Sequence, residues 1–211
     1  LNDLNYATNG MMIHASAFGV YGNYSFFPQD DKSLKQEQKG VNWFQFALNY
    51  ERYWSLNRSI SLGIEGNVEV STRRLLDNYA ATMVMLPVFH PTASTYNSFN
   101  SSLRAPQYVT VGVKPVWKIT NMLQLRGEFH GFMPWRKVLP DIPADVNRAT
   151  MVKAKYGDWF ADPVFFGELA AVYALPFAHL TAYVNYCNTP GTKWNLGLSF
   201  GLFFLAPEFL H

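Results

Sequence analysis

The residues that could do chemistry in this chain do not stand in the patterns that catalysis requires. Residues 197–201 read Gly-Leu-Ser-Phe-Gly and match the Gly-X-Ser-X-Gly pattern of a hydrolase nucleophile elbow. That elbow needs a sharp turn from a strand into a helix, whereas this match lies inside a strand-like alternating run. We therefore expect small residues that let a strand curve, and we predict no catalytic residue and no enzyme activity in this chain.

The histidines and the cysteine give no sign of a metal centre. The five histidines show none of the sequence spacings typical of zinc ligands. A single cysteine, Cys187, can form neither an internal disulfide nor a cysteine-based cluster. We expect no metal and no cofactor, and we expect Cys187 to be a small inward-facing strand residue.

The composition is unusual for a water-soluble domain. Charged residues make up 15% of the chain, against roughly 25% in globular proteins, and aromatic residues make up 17%. The sequence nevertheless has no apolar run of about 18 residues, so it offers no membrane helix. An apolar chain without helical spans is typical of a membrane β-barrel. The net charge of +2 argues against a nucleic-acid partner.

A period of two organises the C-terminal residues 194–209. An apolar row alternates with a small and polar row: Trp194, Leu196, Leu198, Phe200, Leu202 and Phe204 against Asn195, Gly197, Ser199 and Gly201. This alternation predicts a strand with two unlike faces. Bacterial outer-membrane barrels usually end in such an aromatic strand, so we predict a C-terminal signal for the barrel-assembly machinery at Phe200, Phe204 and Phe209.

The same period predicts eight strands, at residues 10–21, 41–54, 59–71, 108–119, 122–135, 164–175, 179–188 and 194–209. The connections are long after the first, third and fifth strands and short after the second, fourth and sixth, as in outer-membrane barrels. We predict an all-β fold: an antiparallel up-and-down transmembrane β-barrel, about eight strands in this chain, that forms one domain over residues 1–211. An apolar segment in the third connection, residues 83–89, should fold over or into the barrel mouth, or pack on a partner.

Charged side chains fall on the polar rows of these strands. We predict a luminal charge network of Glu51, Glu65, Glu69, Lys114, Lys118, Arg126, Glu128 and Glu168. On the lipid face near the midplane an Arg or Lys would cost about 2–4 kcal/mol. A three-residue turn at 120–122 would place Lys114 opposite Glu128 as a cross-strand ion pair. These charges either pair and fill a narrow barrel or line a conducting or ligand-binding lumen.

Tryptophans mark the predicted strand ends. We predict an aromatic girdle of Trp43, Trp54, Trp117, Trp135 and Trp194. Trp43 and Trp54 lie eleven residues apart, a span of roughly 27 Å along the axis of a tilted barrel. The apolar band of such barrels is about 25 Å tall.

Alternation alone does not say which face points outward. A soluble ligand-binding barrel of the lipocalin type would show the same period with the apolar row inside. A free-standing small barrel or porin that binds or passes a small ligand is a further alternative. The tryptophans, the loop lengths and the aromatic C-terminus favour the membrane.

Two sequence regions resemble a known family. FFGELAAVYALPFAHLTAYVNYCN followed by WNLGLSFGLFFLAPEF, together with FNSSLRAPQYVTVGVKPVWKI, resembles the C-terminal outer-membrane barrel of Bacteroidetes patatin-like phospholipases, of the surface-antigen, BamA-like superfamily. The resemblance implies a Gram-negative outer-membrane location and about sixteen strands, of which these would be the C-terminal half. It also implies a hydrolase domain upstream of the barrel.

From the resemblance we expect a non-enzymatic membrane anchor or translocation module. The partners it implies are outer-membrane lipid, the barrel-assembly machinery and a covalently linked patatin-like domain. A homo-oligomer is a further option, and we expect no nucleic-acid partner.

Overall fold

The computed structural model describes residues 1, 6–26, 36–76, 78–96, 100–142, 152–175, 178–191 and 193–202. The strands of this part of the chain are β1 (Gly10–Phe26), β2 (Gln36–Ser55), β3 (Ile60–Ser71), β4 (Gln107–Lys118), β5 (Leu123–Pro134), β6 (Arg136–Asp141), β7 (Lys153–Trp159), β8 (Val164–Ala174), β9 (Ala178–Cys187) and β10 (Trp194–Leu202). The eight predicted strands are confirmed as β1–β5 and β8–β10. β2 starts five residues earlier than predicted, and residues 203–209 of the last predicted strand lie outside the described residues.

One antiparallel sheet holds all eight predicted strands. Its order is β1-β2-β3-β4-β5-β8-β9-β10, with β1 and β10 at the two ends. Tight turns join β2 to β3 and β4 to β5. In the first, the Asn57 side chain accepts hydrogen bonds from the backbone N–H groups of Ser59 and Ile60, both at 2.8 Å. In the second, the Ile119 N–H donates to the Leu123 carbonyl at 2.9 Å, so residues 120–122 form the predicted three-residue turn.

The two faces of this sheet differ in an unusual way. Along β4, Val109, Val111 and Val113 are exposed, whereas Thr110 and Lys114 are buried. β5 repeats this arrangement, with Leu125 and Phe129 exposed and Arg126 and His130 buried. On β8, Phe165 and Leu169 are exposed, and the buried row holds Glu168 together with the apolar Val164, Phe166 and Val172. We call the row with the exposed apolar residues the outer face and the other row the inner face.

The long connections contain structure that the sequence analysis did not predict. β6 and β7 form a separate two-stranded sheet between β5 and β8. A short helix, α1 (Tyr79–Met85), lies between β3 and β4, and the side chain of Asn78 caps it by accepting from the Ala81 N–H at 2.9 Å. α1 and the hairpin pack together through Met83, Leu86 and Val138. No helix among the described residues is long and apolar enough to cross a bilayer.

The last residue of the apolar segment 83–89, Phe89, packs against the sheet. Phe89 lies in a buried cluster with residues of β4, β5, β8 and β9, namely Tyr108, Phe132, Val164, Phe166 and Cys187, and with Leu103 and Ala105 of its own connection. Two 3₁₀ turns, Ala93–Thr95 and Ser101–Leu103, follow it. Phe132, Phe166 and Cys187 are inner-face residues, so Phe89 packs inward. Met83 and Leu86 pack with Val138 of the hairpin instead, and Val84 and Met85 are exposed. Placement of this segment at a barrel mouth or on a partner stays a prediction.

Candidate functional site: a charged cavity on the inner face

The inner face surrounds a cavity of about 540 Å³. Side chains of all eight strands of the large sheet line it, from Met12 and His14 on β1 to Ser199 on β10. The sheet must therefore curve strongly enough to bring its two edge strands to one cavity. Five carboxylates and two basic side chains line the wall: Glu51, Glu65, Glu69, Glu128 and Glu168, with Lys114 and Arg126.

Lys114 is the centre of a four-strand charge cluster. Its Nζ lies 2.8 Å from Glu51 Oε1 on β2 and 2.5 Å from Glu65 Oε2 on β3. Glu128 Oε2 on β5 is 3.9 Å away. The register pairs on either side, Gly112 with His130 and Val116 with Arg126, confirm the predicted opposition of Lys114 and Glu128. The two shorter contacts reach β2 and β3, outside the β4–β5 hairpin from which the pair was predicted.

This cluster is buried, so its members depend on one another. Lys114 is 8% exposed. Removal of one partner from a buried ion pair is strongly destabilising, because the remaining charge is left uncompensated. Three carboxylates around one ammonium group therefore bind β2, β3, β4 and β5 together on the inner face.

His130 lies beside this cluster. Its Nε2 is 3.6 Å from Glu128 Oε2 and its Nδ1 is 4.0 Å from Glu65 Oε2. The ring fits because its register partner is a glycine: a Cβ added at Gly112 would lie 2.5 Å from His130 Nδ1. The role of Gly112 is thus to leave room for the His130 imidazole on the inner face, and not to form a turn.

Arg126 holds the N-terminal segment, residues 6–9, against one end of the cavity. Its guanidinium donates to the Ala7 carbonyl at 3.2 and 3.3 Å and to the Tyr53 hydroxyl at 3.3 Å. Nearby, Ser55 Oγ donates to the Thr8 carbonyl at 3.2 Å. The segment therefore crosses the inner face at the end where the short turns lie.

Glu168, which lies opposite Glu128 in the register of β5 and β8, makes a different set of contacts. Its Oε2 accepts hydrogen bonds from Thr92 Oγ1 at 3.0 Å, from Ser94 Oγ and from Asn185 Nδ2 at 3.4 Å. Thr92 and Ser94 belong to the long β3–β4 connection, so a strand carboxylate holds this connection inside the sheet. No spacing in the sequence pointed to Thr92 or Ser94, because loop hydroxyls carry no period.

The predicted charge network thus separates into parts. Glu51, Glu65, Lys114 and Glu128 meet in one cluster, while Arg126 and Glu168 line the same cavity with the partners described above. Glu69 accepts from Gln45 Nε2 at 2.7 Å. Lys118 lies on the same row at the end of β4, half-buried.

The predicted tryptophan positions hold for four of the five side chains. Trp54 pairs with Leu62 and Trp117 with Ile60, which places both at the short-turn end. Trp135 follows β5, and Trp194 begins β10, at the opposite end.

Trp43 does not fit the predicted girdle. β2 begins at Gln36, so Trp43 lies inside the strand rather than at its end. Eleven residues is an odd spacing, so Trp43 and Trp54 lie on opposite faces. Trp43 shares the inner-face row with Glu51. The Arg73 guanidinium lies over its indole ring, with Cζ 4.5 Å from the ring centroid.

The remaining predicted positions are placed as follows. Phe200 is an exposed outer-face residue of β10, whereas Phe204 and Phe209 lie outside the described residues. Residues 197–201 lie within β10, as predicted. Cys187 is buried on the inner face, as predicted.

Neither metal geometry nor similarity to known proteins identifies this site. Within the described residues, no group of three or more His, Cys, Asp or Glu side chains is arranged to hold a metal ion. Comparisons with protein-family models, with curated proteins and with solved structures give no match.

Proposed function

We propose that this chain is an outer-membrane β-barrel that serves as a membrane anchor or translocation module. The observation that carries the proposal is the inversion of the two sheet faces. Val111 is 65% exposed and Leu196 is 85% exposed on the outer face, whereas Lys114 is 8% exposed on the inner face. Water-soluble sheets bury the apolar row and expose the charged one.

A bilayer makes this inversion favourable. Lipid-facing positions of transmembrane barrels are apolar, and polar side chains line the interior. Strands can span the hydrocarbon because neighbouring strands satisfy their backbone hydrogen bonds. In water the same outer face would form an extended apolar patch of the kind that drives association.

Closure of the curved sheet into a barrel is part of this proposal. Tyr6, four residues before β1, contacts β9, since its hydroxyl lies 3.1 Å from Thr181 Oγ1 and its ring centroid 5.0 Å from that of His179. Both edge strands also line the same cavity. Either β1 pairs with β10, or further strands pair with both edges, because unpaired edges promote aggregation.

We extend the proposal to the family that the sequence resembles. In that view the barrel anchors a patatin-like domain at the cell surface, and any hydrolase activity lies in that upstream domain. The resemblance of the strand segments supports this extension. Immunoblotting of the native outer-membrane fraction tests it: a band well above 24.1 kDa supports a fused domain, and a band near that mass contradicts it.

Vesicle association tests the main proposal. The chain is refolded with phosphatidylcholine vesicles, floated on a density gradient and washed at alkaline pH. We expect it to float and to resist the wash. A chain that stays at the bottom of the gradient, soluble and folded without detergent, would contradict the proposal and support the lipocalin-type alternative.

The cavity favours a second candidate function. A volume of about 540 Å³ would hold on the order of ten to twenty water molecules, so side chains do not fill the interior. A barrel of this kind could bind or pass a small ligand. Ion conductance across a planar bilayer separates this function from a purely anchoring role.

A further inference from the structure

A single loop segment covers one end of the cavity. We call residues 86–96 of the β3–β4 connection the inner segment. Residues 88–94 of it line the cavity, together with carboxylates of the strands. The N-terminal segment crosses the opposite end. A segment that is not part of the sheet therefore lies at each end of the cavity.

The inner segment is held to the sheet by side chains. Thr92 and Ser94 donate to Glu168, as described above, and Asn185 Nδ2 lies 3.2 Å from Ser94 Oγ. Phe89 packs on inner-face rings, with its centroid 5.6 Å from that of His130 and 6.1 Å from that of Phe132. Water can replace the hydroxyl contacts, so breaking them leaves the sheet intact.

Backbone hydrogen bonds tie the inner segment to its own connection. The Phe89 N–H donates to the Leu103 carbonyl at 2.9 Å, and the Ala105 N–H donates to the Pro87 carbonyl at 3.4 Å. Arg104 Nη1 also donates to the Leu86 carbonyl at 3.3 Å. These bonds lie within the connection, so they need not break when Thr92 and Ser94 leave Glu168.

We propose that the inner segment is a removable plug of the cavity and that Glu168 is its latch. The plug closes one end of the cavity, and its release widens the path that small ions take past the N-terminal segment at the opposite end. The proposal rests on the membrane-barrel function for the ion path, but the latch itself is independent of any membrane.

Cys187 is a built-in reporter of plug release. It is the only cysteine in the chain, is 6% exposed, and shares a buried cluster with Phe89. It also lines a second cavity of about 300 Å³ between the strands and the inner segment. Movement of the inner segment would therefore expose the Cys187 thiol to reagents.

The first measurement is the rate at which a maleimide labels Cys187 in the full chain folded in detergent. The latch variants are Thr92→Val/Ser94→Ala, which changes only the plug, and Glu168→Gln, which changes only the strand. We expect labelling to accelerate roughly tenfold or more, since each donor to a charged acceptor contributes at least about that factor. Ser101→Ala, an exposed serine of the same connection, is the matched control and should label like the unchanged chain.

The second measurement is ion conductance in planar bilayers. We expect the Thr92→Val/Ser94→Ala variant to conduct at least several-fold more than the unchanged chain and Ser101→Ala to match it. Unchanged labelling in both latch variants overturns the latch. Faster labelling without added conductance overturns the plug, because the segment then moves without opening a path.

Vesicle flotation tests the membrane function separately from the latch. A chain that does not float with vesicles contradicts the proposed function and the ion path that rests on it. The labelling rate in detergent still decides whether Glu168 holds the inner segment in place.

Discussion

Val111→Lys distinguishes an outer face in lipid from one in water. Val111 is an exposed residue near the middle of β4, and its cross-strand neighbours are Gly66 and Gly131. A longer side chain therefore meets no bulky neighbour, and a loss well above the roughly 1 kcal/mol range of strand propensities reports the environment. In a bilayer a midplane Lys costs about 2–4 kcal/mol, whereas an exposed surface substitution in water changes stability by about 0.5 kcal/mol or less.

The assay is reversible guanidinium unfolding from phospholipid vesicles, followed by tryptophan fluorescence. Ile119→Lys is the matched control, because Ile119 is exposed just past the end of β4, where Lys should cost about 0–1 kcal/mol. We expect a clear difference between the two variants. Losses below about 0.5 kcal/mol in both would refute the lipid-facing assignment of this row.

Two further predictions concern the inner face. Lys114→Met should destabilise the fold by about 3–5 kcal/mol, because it leaves Glu51, Glu65 and Glu128 without their shared cation. Lys118→Met, at the half-buried end of the row, should have little effect. Denaturant midpoints in detergent measure both variants, and equal midpoints would contradict the cluster. Gly112→Ala should lower the free energy of unfolding by about 1–3 kcal/mol, because its Cβ would collide with the His130 ring. Gly66→Ala should be close to neutral, because its Cβ would lie 3.9 Å from the nearest neighbouring atom. Thermal melts compare the two variants, and a Gly112→Ala variant as stable as the unchanged chain would refute the tight fit.

The period-two pattern predicts most of the sheet because side-chain direction in a strand depends only on backbone pleat. Each of the eight strands appears within a few residues of its predicted position, and the 120–122 turn sets the Lys114–Glu128 register. The same rule, applied to parity, would have placed Trp43 on the inner face. Spacing along the axis alone led to its incorrect assignment to the girdle.

The rest of the site depends on contacts that have no sequence period. Thr92 and Ser94 reach Glu168 across 76 and 74 residues of chain, and Arg126 reaches the Ala7 carbonyl across 119. Such contacts follow from the curvature of the sheet, which single-strand patterns do not encode. The β6–β7 hairpin was missed for another reason: its strands are six and seven residues long, and they pack on α1 rather than on the main sheet.

The most direct test of the central claim is a heat-modifiability gel of the chain folded in detergent, boiled against unboiled, with circular dichroism on the same sample. The account predicts β-rich spectra and faster migration of the unboiled sample, as expected for a closed membrane barrel. Absence of a shift, with a chain that is monomeric and folded in buffer without detergent, would contradict it.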